Sequence, residues 1–281
     1  MLKRFTILGL GGGGMKGILQ VGALTELAKH QPLEFPDGVY GCSVGAIIGT
    51  YVAFGLPIDK MIPLSKKYLT QKAILPSVGL YDISTCLSSK GLFSMSTFEA
   101  TIIKMFEEAG LDVRDKNIGD AKMPLFIVTS NVTKGKPAIL SKNVSVIEAL
   151  KCSCCVPGVF KPQMLYGQVY VDGGLFSPNI RGIVPLTPTT LIIVLPRPKT
   201  LEITATTLSS ISSIDFAFEL ISIATKQGVS NKCNECTLSL VHPNVTSTTD
   251  IMTVDIDSIL KFTSSKLRRF LSTKNFYDEI I

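Results

Sequence analysis

The run Gly41-Cys42-Ser43-Val44-Gly45 sets a serine two residues from a glycine on either side. A strand that turns sharply into a helix needs small residues at both flanks. The serine between them is thrust clear of the sheet, with its oxygen at the helix N-terminus. Such a hydroxyl is placed for acyl transfer, although a plain helix N-cap has the same residue type. A serine nucleophile needs a base. The sequence holds two histidines, His30 and His242. His30 closes a helical run, where a cation suits the terminal carbonyls and the role is structural. His242 closes a β-like run, and Ser43, Asp172, His242 follow the chain order of an α/β-hydrolase triad. In that fold several strands precede the elbow, whereas one precedes the second strand here. The other reading makes Asp172 the base itself. It follows a β-like run and precedes Gly173-Gly174, which give it room to approach another loop. An Asx-turn is its plain alternative.

A second cluster, Gly11 to Gly14 followed by Met15-Lys16-Gly17, stands between a β-like run and a helical one. Gly12 to Gly17 satisfies G-x-G-x-x-G, the dinucleotide fingerprint, with Glu34 or Asp37 at the distance of a ribose-binding acid. It does not satisfy the P-loop, because Met15 stands where that motif requires lysine. The third reading is an oxyanion hole: consecutive glycines leave backbone N–H groups unshielded, and the following helix N-terminus adds positive potential.

These residues need elements to hold them. Phe5–Leu8 reads as a strand and Ile18–Lys29 as a helix with a broad apolar face. Val39–Tyr40 ends a second strand, and the helix opened by Ser43 runs to about Phe54. Ser96-Thr97-Phe98-Glu99 has the form of a capping box on a helix that stops at Gly110. Leu125–Ser130 is a buried strand, Ser145–Lys151 a short helix, and Cys152–Pro162 a loop. Gln168–Val171 is a strand ending at Asp172-Gly173-Gly174, and Thr190–Leu195 another. Helices are expected near Leu208–Lys226 and Asp257–Leu271, with a strand at Thr237–Val241 between them. Strands alternating with helices imply an α/β fold with a largely parallel sheet.

Composition narrows the class. The 281 residues are 46 % hydrophobic and 18 % charged, with a formal charge of +6 and no dense basic stripe, so nucleic acid is not implied. The longest nearly apolar stretch, Val44 to Leu56, is interrupted by glycines and is shorter than the roughly 20 residues of a spanning helix. The apolar run after Met1-Leu2-Lys3-Arg4 is too short for a secretory signal. With seven cysteines, the expectation is an intracellular, cytoplasmic, reduced protein. The cysteines read as small buried hydrophobes. Cys233-x-x-Cys236 is the one ligand-like pair, and with only His242 near it no metal site is expected.

Three motifs in this order, Gly12-Gly13-Gly14-Met15-Lys16-Gly17, Gly41-Cys42-Ser43-Val44-Gly45 and Asp172-Gly173-Gly174, resemble the patatin-like phospholipase family. Ser153 to Pro162 is similar to the family's Ser/Ala-rich, Pro-x-x-Phe-x-Pro segment. Leu175 to Asn179 is similar to the family's segment just after the aspartate. The resemblance spans Lys3 to Pro198. It implies a three-layer α/β/α sandwich and a lipid acyl hydrolase with no cofactor and no metal. It also implies a Ser43–Asp172 dyad without histidine, oxyanion N–H groups from Gly12, Gly13 and Gly14, and supporting roles for Lys16, Gly17, Gly41, Gly45, Gly173 and Gly174. Lys16 stands where the family often has arginine, which keeps the charge without the planar fork. The expected organisation is a catalytic core over residues 1–200 and an extension over 201–281 packed on it. The substrate is expected to be a phospholipid or other acyl lipid. Residues 259–274 form a basic amphipathic helix, which suits an anionic membrane surface or an ordinary core stripe with a solvated face.

Overall fold

The computed structural model describes residues 4–76, 89–177, 179–196, 235–245 and 254–274, with positions 204, 216 and 220. In chain order the elements are β1 (Ile7–Leu10), α1 (Ile18–Leu27), β2 (Gly38–Cys42), α2 (Val44–Ala53), α3 (Ile58–Tyr68), α4 (Gln71–Ile74), β3 (Gly91–Phe93) and α5 (Ser96–Ala109). There follow β4 (Leu125–Asn131), β5 (Lys136–Leu140), α6 (Val146–Cys154), β6 (Gly158–Phe160), β7 (Gln163–Leu165), β8 (Gln168–Asp172), β9 (Thr190–Val194), β10 (Thr237–Ser239) and α7 (Ile256–Thr273).

The main sheet runs β10-β9-β1-β2-β4-β8-β7, with β5 also paired to β4. The first five strands are mutually parallel, and β5, β7 and β8 join antiparallel. The parallel strands β1, β2 and β9 are buried along their whole length, as strands covered on both faces must be. Leu8, Leu10, Val39, Ile127 and Ile193 face a large core shared with helices α1 to α6. Ile7, Tyr40, Cys42, Val128, Ile192 and Val194 face the other way, against Ile180 and Val184. The sheet is therefore mixed, mostly parallel and flanked by helices, as expected. Of the helix expected at Leu208–Lys226, Phe216 and Leu220 are described and helical, and the rest lies outside the described residues.

Helix α7 lies along α1. Its buried stripe is Ile259, Thr263, Leu267 and Leu271, and Thr263 fits against Gly22, where a Cβ would come within 2.6 Å of Thr263 Oγ1. Arg268 Nε donates to Glu26 Oε1 at 2.5 Å. Among the described residues, no helix is long and apolar enough to cross a membrane.

Several local readings are corrected. Strand β1 continues through Gly9 to Leu10, because Gly9 packs so closely that a Cβ would stand 2.9 Å from Val184. Helix α5 starts at Ser96 and stops at a left-handed Gly110 as expected, but no side chain caps it. Glu99 accepts from Lys151 instead, at 2.7 Å. Helix α6 runs on through Cys152, Ser153 and Cys154, where a loop was expected. All three are buried, and burial outweighs the modest helix propensity of Ser and Cys.

Candidate active site

The parallel strands deliver their carboxyl ends to one edge of the sheet. There the glycine loop leaves β1 and the serine turn leaves β2, which is where open α/β sheets bind ligands. In the turn, Ser43 takes φ 55° and ψ −127°, a region that is strained for a side-chain-bearing residue and found where surrounding structure enforces it. The enforcement is visible at the flanking glycines. A Cβ on Gly41 would lie 2.4 Å from Gly45 O, and one on Gly45 only 2.2 Å from Leu10 O. Strand, turn and helix thus interlock around the serine, and the strand-turn-helix setting of the G-x-S-x-G pattern is present.

The glycine loop closes over this turn. A Cβ on Gly12 would meet Ser43 Cβ at 3.3 Å. The Gly12 N–H lies toward the Cys42 sulfur, where it counters part of the rise that burial and Asp172 impose on that thiol's pKa. No hydrogen bond among the described residues uses the N–H of Gly13 or Gly14. Gln20 Nε2 donates to Gly11 O at 2.8 Å and to Ile193 O at 3.1 Å, which fixes where the loop departs from β1. Lys16 is buried beneath it, with Nζ 3.5 Å from Leu195 O. Gly17 packs on the start of α2, where a Cβ would be 2.4 Å from Val44.

Asp172 ends β8 opposite Thr129 of β4 and has no exposed surface. Its Oδ1 accepts the Gly174 N–H at 2.8 Å. Its Oδ2 has no hydrogen-bond partner among the described residues. Burial raises the carboxyl pKa to about 6, against the lowering influence of the Gly174 N–H and the nearby Ser43 hydroxyl. The serine is thus within electrostatic reach of the carboxylate without closing a hydrogen bond to Oδ2. Contacts of this kind commonly tighten only when substrate binds. Gly173 presses on β4, with a Cβ position 2.5 Å from Val128 O.

A largely apolar cleft opens at the serine. Gly14, Met15, Ser43, Val44, Ile47, Leu69, Ile74, Phe98, Cys154, Val156 and Phe160 line it, and it encloses about 470 Å³ of atom-free space including its open mouth. Met15 and Val44 come from the two motifs. Phe98 and Phe160, edge to face at 6.4 Å, come from α5 and β6.

Other expected groups lie elsewhere. His242 follows the edge strand β10, buried edge-on against Phe262, with Nδ1 accepting the Asn244 N–H. Three strand spacings, about 14 Å in all, separate β10 from β2. Asp37 donates its N–H to Thr6 O just before β1 begins. It and Glu34 therefore sit at the opposite edge of the sheet from the glycine loop, not where a ribose would need an acid. Cys233 lies outside the described residues, and Cys236 Sγ donates to Thr187 O. The hydroxyl of Ser153 was not foreseen in this site. It accepts the Ser43 N–H at 2.9 Å and donates to Val128 O at 2.7 Å. The sequence signal was its place at the start of the family-like stretch Ser153 to Pro162, which named no role for the hydroxyl.

Comparison with known proteins gives the family and the fold. Residues 8–185 match the family model described as patatin-like phospholipase. An uncharacterized protein, R571, of Acanthamoeba polyphaga mimivirus is 27 % identical over 59 % of this chain and 57 % of its own length. An NTE-family protein of Mycobacterium bovis is 27 % identical over 61 % of this chain and 43 % of its own. A lysophospholipase, nte1, of Aspergillus terreus is 25 % identical over 62 % of this chain but only 11 % of its own. The matched region thus spans about half the length of the first two and a small part of the third. Among solved structures, VipD from Legionella pneumophila superposes with a TM-score of 0.55 at 14 % identity, over 95 % of this chain and 67 % of that one, which shows a shared fold. With the family model covering well over half of its residues, and with the glycine loop, serine turn and buried aspartate gathered at one sheet edge, the chain belongs to the patatin-like phospholipases.

Proposed function

We propose that this protein hydrolyses fatty-acyl esters of phospholipids or lysophospholipids through a Ser43–Asp172 dyad and an acyl-enzyme. The observation that carries this reading is the buried Asp172 carboxylate, with one oxygen unpartnered among the described residues, beside the strained Ser43 turn at an apolar cleft. The acyl chain lies along Val44, Ile47, Phe98 and Phe160, and its ester carbonyl meets Ser43. Asp172 accepts the hydroxyl proton as Oγ attacks. A carboxyl with a pKa about 6 is a better base than an exposed aspartate and is still mostly ionised at neutral pH. The N–H groups of Gly13 and Gly14 receive the developing oxyanion, each donor contributing about 3 kcal/mol by comparison with other hydrolases. The lysolipid or alcohol leaves with a proton from Asp172. Water, deprotonated by the same carboxylate, then cleaves the acyl-enzyme. The lysophospholipase among the relatives supports the lipid ester class.

The placement of His242 supports the dyad over a triad, and that of Glu34 and Asp37 argues against a dinucleotide site. The test is acyl release across a lipid panel, with fluorophosphonate labelling of the serine. Ser43→Ala and Asp172→Asn are expected to abolish release and His242→Ala to retain most of it. A folded but inactive His242→Ala protein would replace the dyad with the triad.

A further inference from the structure

The N–H of Ser43 stands where two ladders end. Strands β2 and β4 are paired as far as Cys42 and Val128. The next rung is not made directly, because the Ser153 hydroxyl stands between Ser43 N–H and Val128 O, accepting from one and donating to the other. Ser153 is wholly buried, and these two bonds use its hydroxyl as acceptor and as donor. Two residues further on, Cys155 O accepts the backbone N–H of Asp172 at 2.7 Å. The same short stretch therefore holds Ser43 by one bond and Asp172 by another. Thr129 Oγ1 ties it down from below, lying 3.1 Å from Cys152 O and 2.8 Å from Val171 O.

We propose that the end of α6, from Ser153 to Cys155, sets the spacing between Ser43 and Asp172, with Ser153 as the positioning residue. The inference rests on Ser43 and Asp172 being nucleophile and base. The strained backbone of Ser43 needs an external restraint, and its α2 hydrogen bonds begin only with its carbonyl. Removing the Ser153 hydroxyl takes away the acceptor of that N–H and the side-chain donor to Val128 O. The turn can then close directly onto β4 or relax toward an unstrained φ. Either movement shifts Oγ relative to the carboxylate and the glycine loop, while the cleft that binds the acyl chain keeps its walls.

The full chain is compared with its Ser153→Ala and Ser153→Cys variants by ester hydrolysis and by hydrogen exchange at the Ser43 amide, with circular dichroism to confirm folding. Ser153→Ala is expected to lower kcat by on the order of 10²-fold, the scale of a misplaced reacting group, with KM little changed. The Ser43 amide is expected to exchange about tenfold faster or more. The acidic limb of the rate profile is expected to move up, because the Ser43 hydroxyl no longer holds the Asp172 pKa down. The other titratable groups against Asp172 are the thiols of Cys42, Cys154 and Cys155, which burial keeps protonated, so that limb reports the carboxyl. Ser153→Cys keeps the volume with a weaker acceptor and is expected to fall between, which preserves the test if alanine unfolds the chain. Unchanged kcat in a folded Ser153→Ala protein, or an unchanged Ser43 amide, overturns the proposal. If the wild type hydrolyses no ester, the functional reading fails on its own, and the amide exchange still decides whether Ser153 restrains the turn. If hydrolysis needs Ser43 and Asp172 but ignores Ser153, the proposal falls and the functional reading stands.

Discussion

Asp172 is wholly buried, and one carboxylate oxygen lacks any partner among the described residues, so its charge is a cost that the fold carries. Its pKa stands near 6 against 3.8 for the unperturbed group. Protonation is therefore favoured more in the folded chain than in the unfolded one. The penalty is absent below pH 3.8, grows up to about 6 and is constant above it, on the order of 3 kcal/mol. Asp172→Asn should thus be inactive and yet more stable, by about 2 kcal/mol near pH 8 with the gain gone by pH 3.5. Paired urea titrations at the two pH values measure this, and an Asn variant less stable than wild type at pH 8 would refute it. In the proposed mechanism the same protonation sets activity: Asp172 acts as a carboxylate, so kcat/KM should rise with pH through about 6 and level off. Ser43 and Asp172 stood out as candidates because each sits among glycines whose spacing has few other uses, and the structure brings the two near each other. Ser153 was visible only as the start of the family-like stretch; its bonds to Ser43 and Val128 were not legible, because bonds to distant backbone leave no spacing of their own.

At the scale of elements, the elbow and the α1–α7 contact make separate demands. Gly45 abuts the last carbonyl of β1, backbone that cannot swing aside. Gly45→Ala should cost about 3 kcal/mol and most of the activity. Gly182→Ala, where a Cβ meets nothing within 4 Å, should cost less than about 0.5 kcal/mol. Urea midpoints of the two variants give the comparison, and equal midpoints would show that the interlocked turn is not rigid. In the other contact, the buried Glu26 carboxylate accepts from Arg268 of α7 and from Lys29. Burial raises its pKa, but these bonds, with further help from Ser264 and His30, prevail and lower it from 4.5 to about 2. The pairing is fully present above pH 4.5 and is lost as pH falls toward 2, at most about 3 kcal/mol. Glu26→Gln should therefore lower stability at pH 7 and flatten its decline below 4.5, as thermal melts across that range would show. These helices were legible from apolar periodicity. The partner of Glu26 was not, since Arg268 is 242 residues away. The short strands β3, β5, β6 and β7 also escaped notice, being three to five residues long, with β5 half exposed and carrying Pro137.

For the whole molecule, the parallel half of the sheet follows from strands alternating with helices, but the antiparallel half depends on hairpins whose pairing no local pattern announces. The same distinction governs how the protein would meet a bilayer. The apolar stripe of α7, Ile259, Leu267 and Leu271, is spent on α1, so this helix has no free face to insert. Its outward side presents exposed cations, Lys261, Lys266 and Arg269, on a chain of net charge +6. Association with acidic vesicles should accordingly be electrostatic, present at low ionic strength and lost near 0.5 M salt, where the screening length falls to roughly 4 Å. The direction of α7 adds a sharper expectation. Gly22 faces Thr263 and Glu26 faces Arg268, so α7 runs parallel to α1, and α1 starts at the edge that carries the glycine loop. Lys261 is thus nearer that edge than Arg269 by about 12 Å of helix, more than a Debye length at physiological salt. If the cleft is to face lipid, the bilayer must meet that edge, and Lys261→Glu should weaken vesicle flotation more than Arg269→Glu. Equal loss from both, or equal recovery on neutral and acidic vesicles, would mean that the protein takes its lipid without docking this face of α7 on a charged surface.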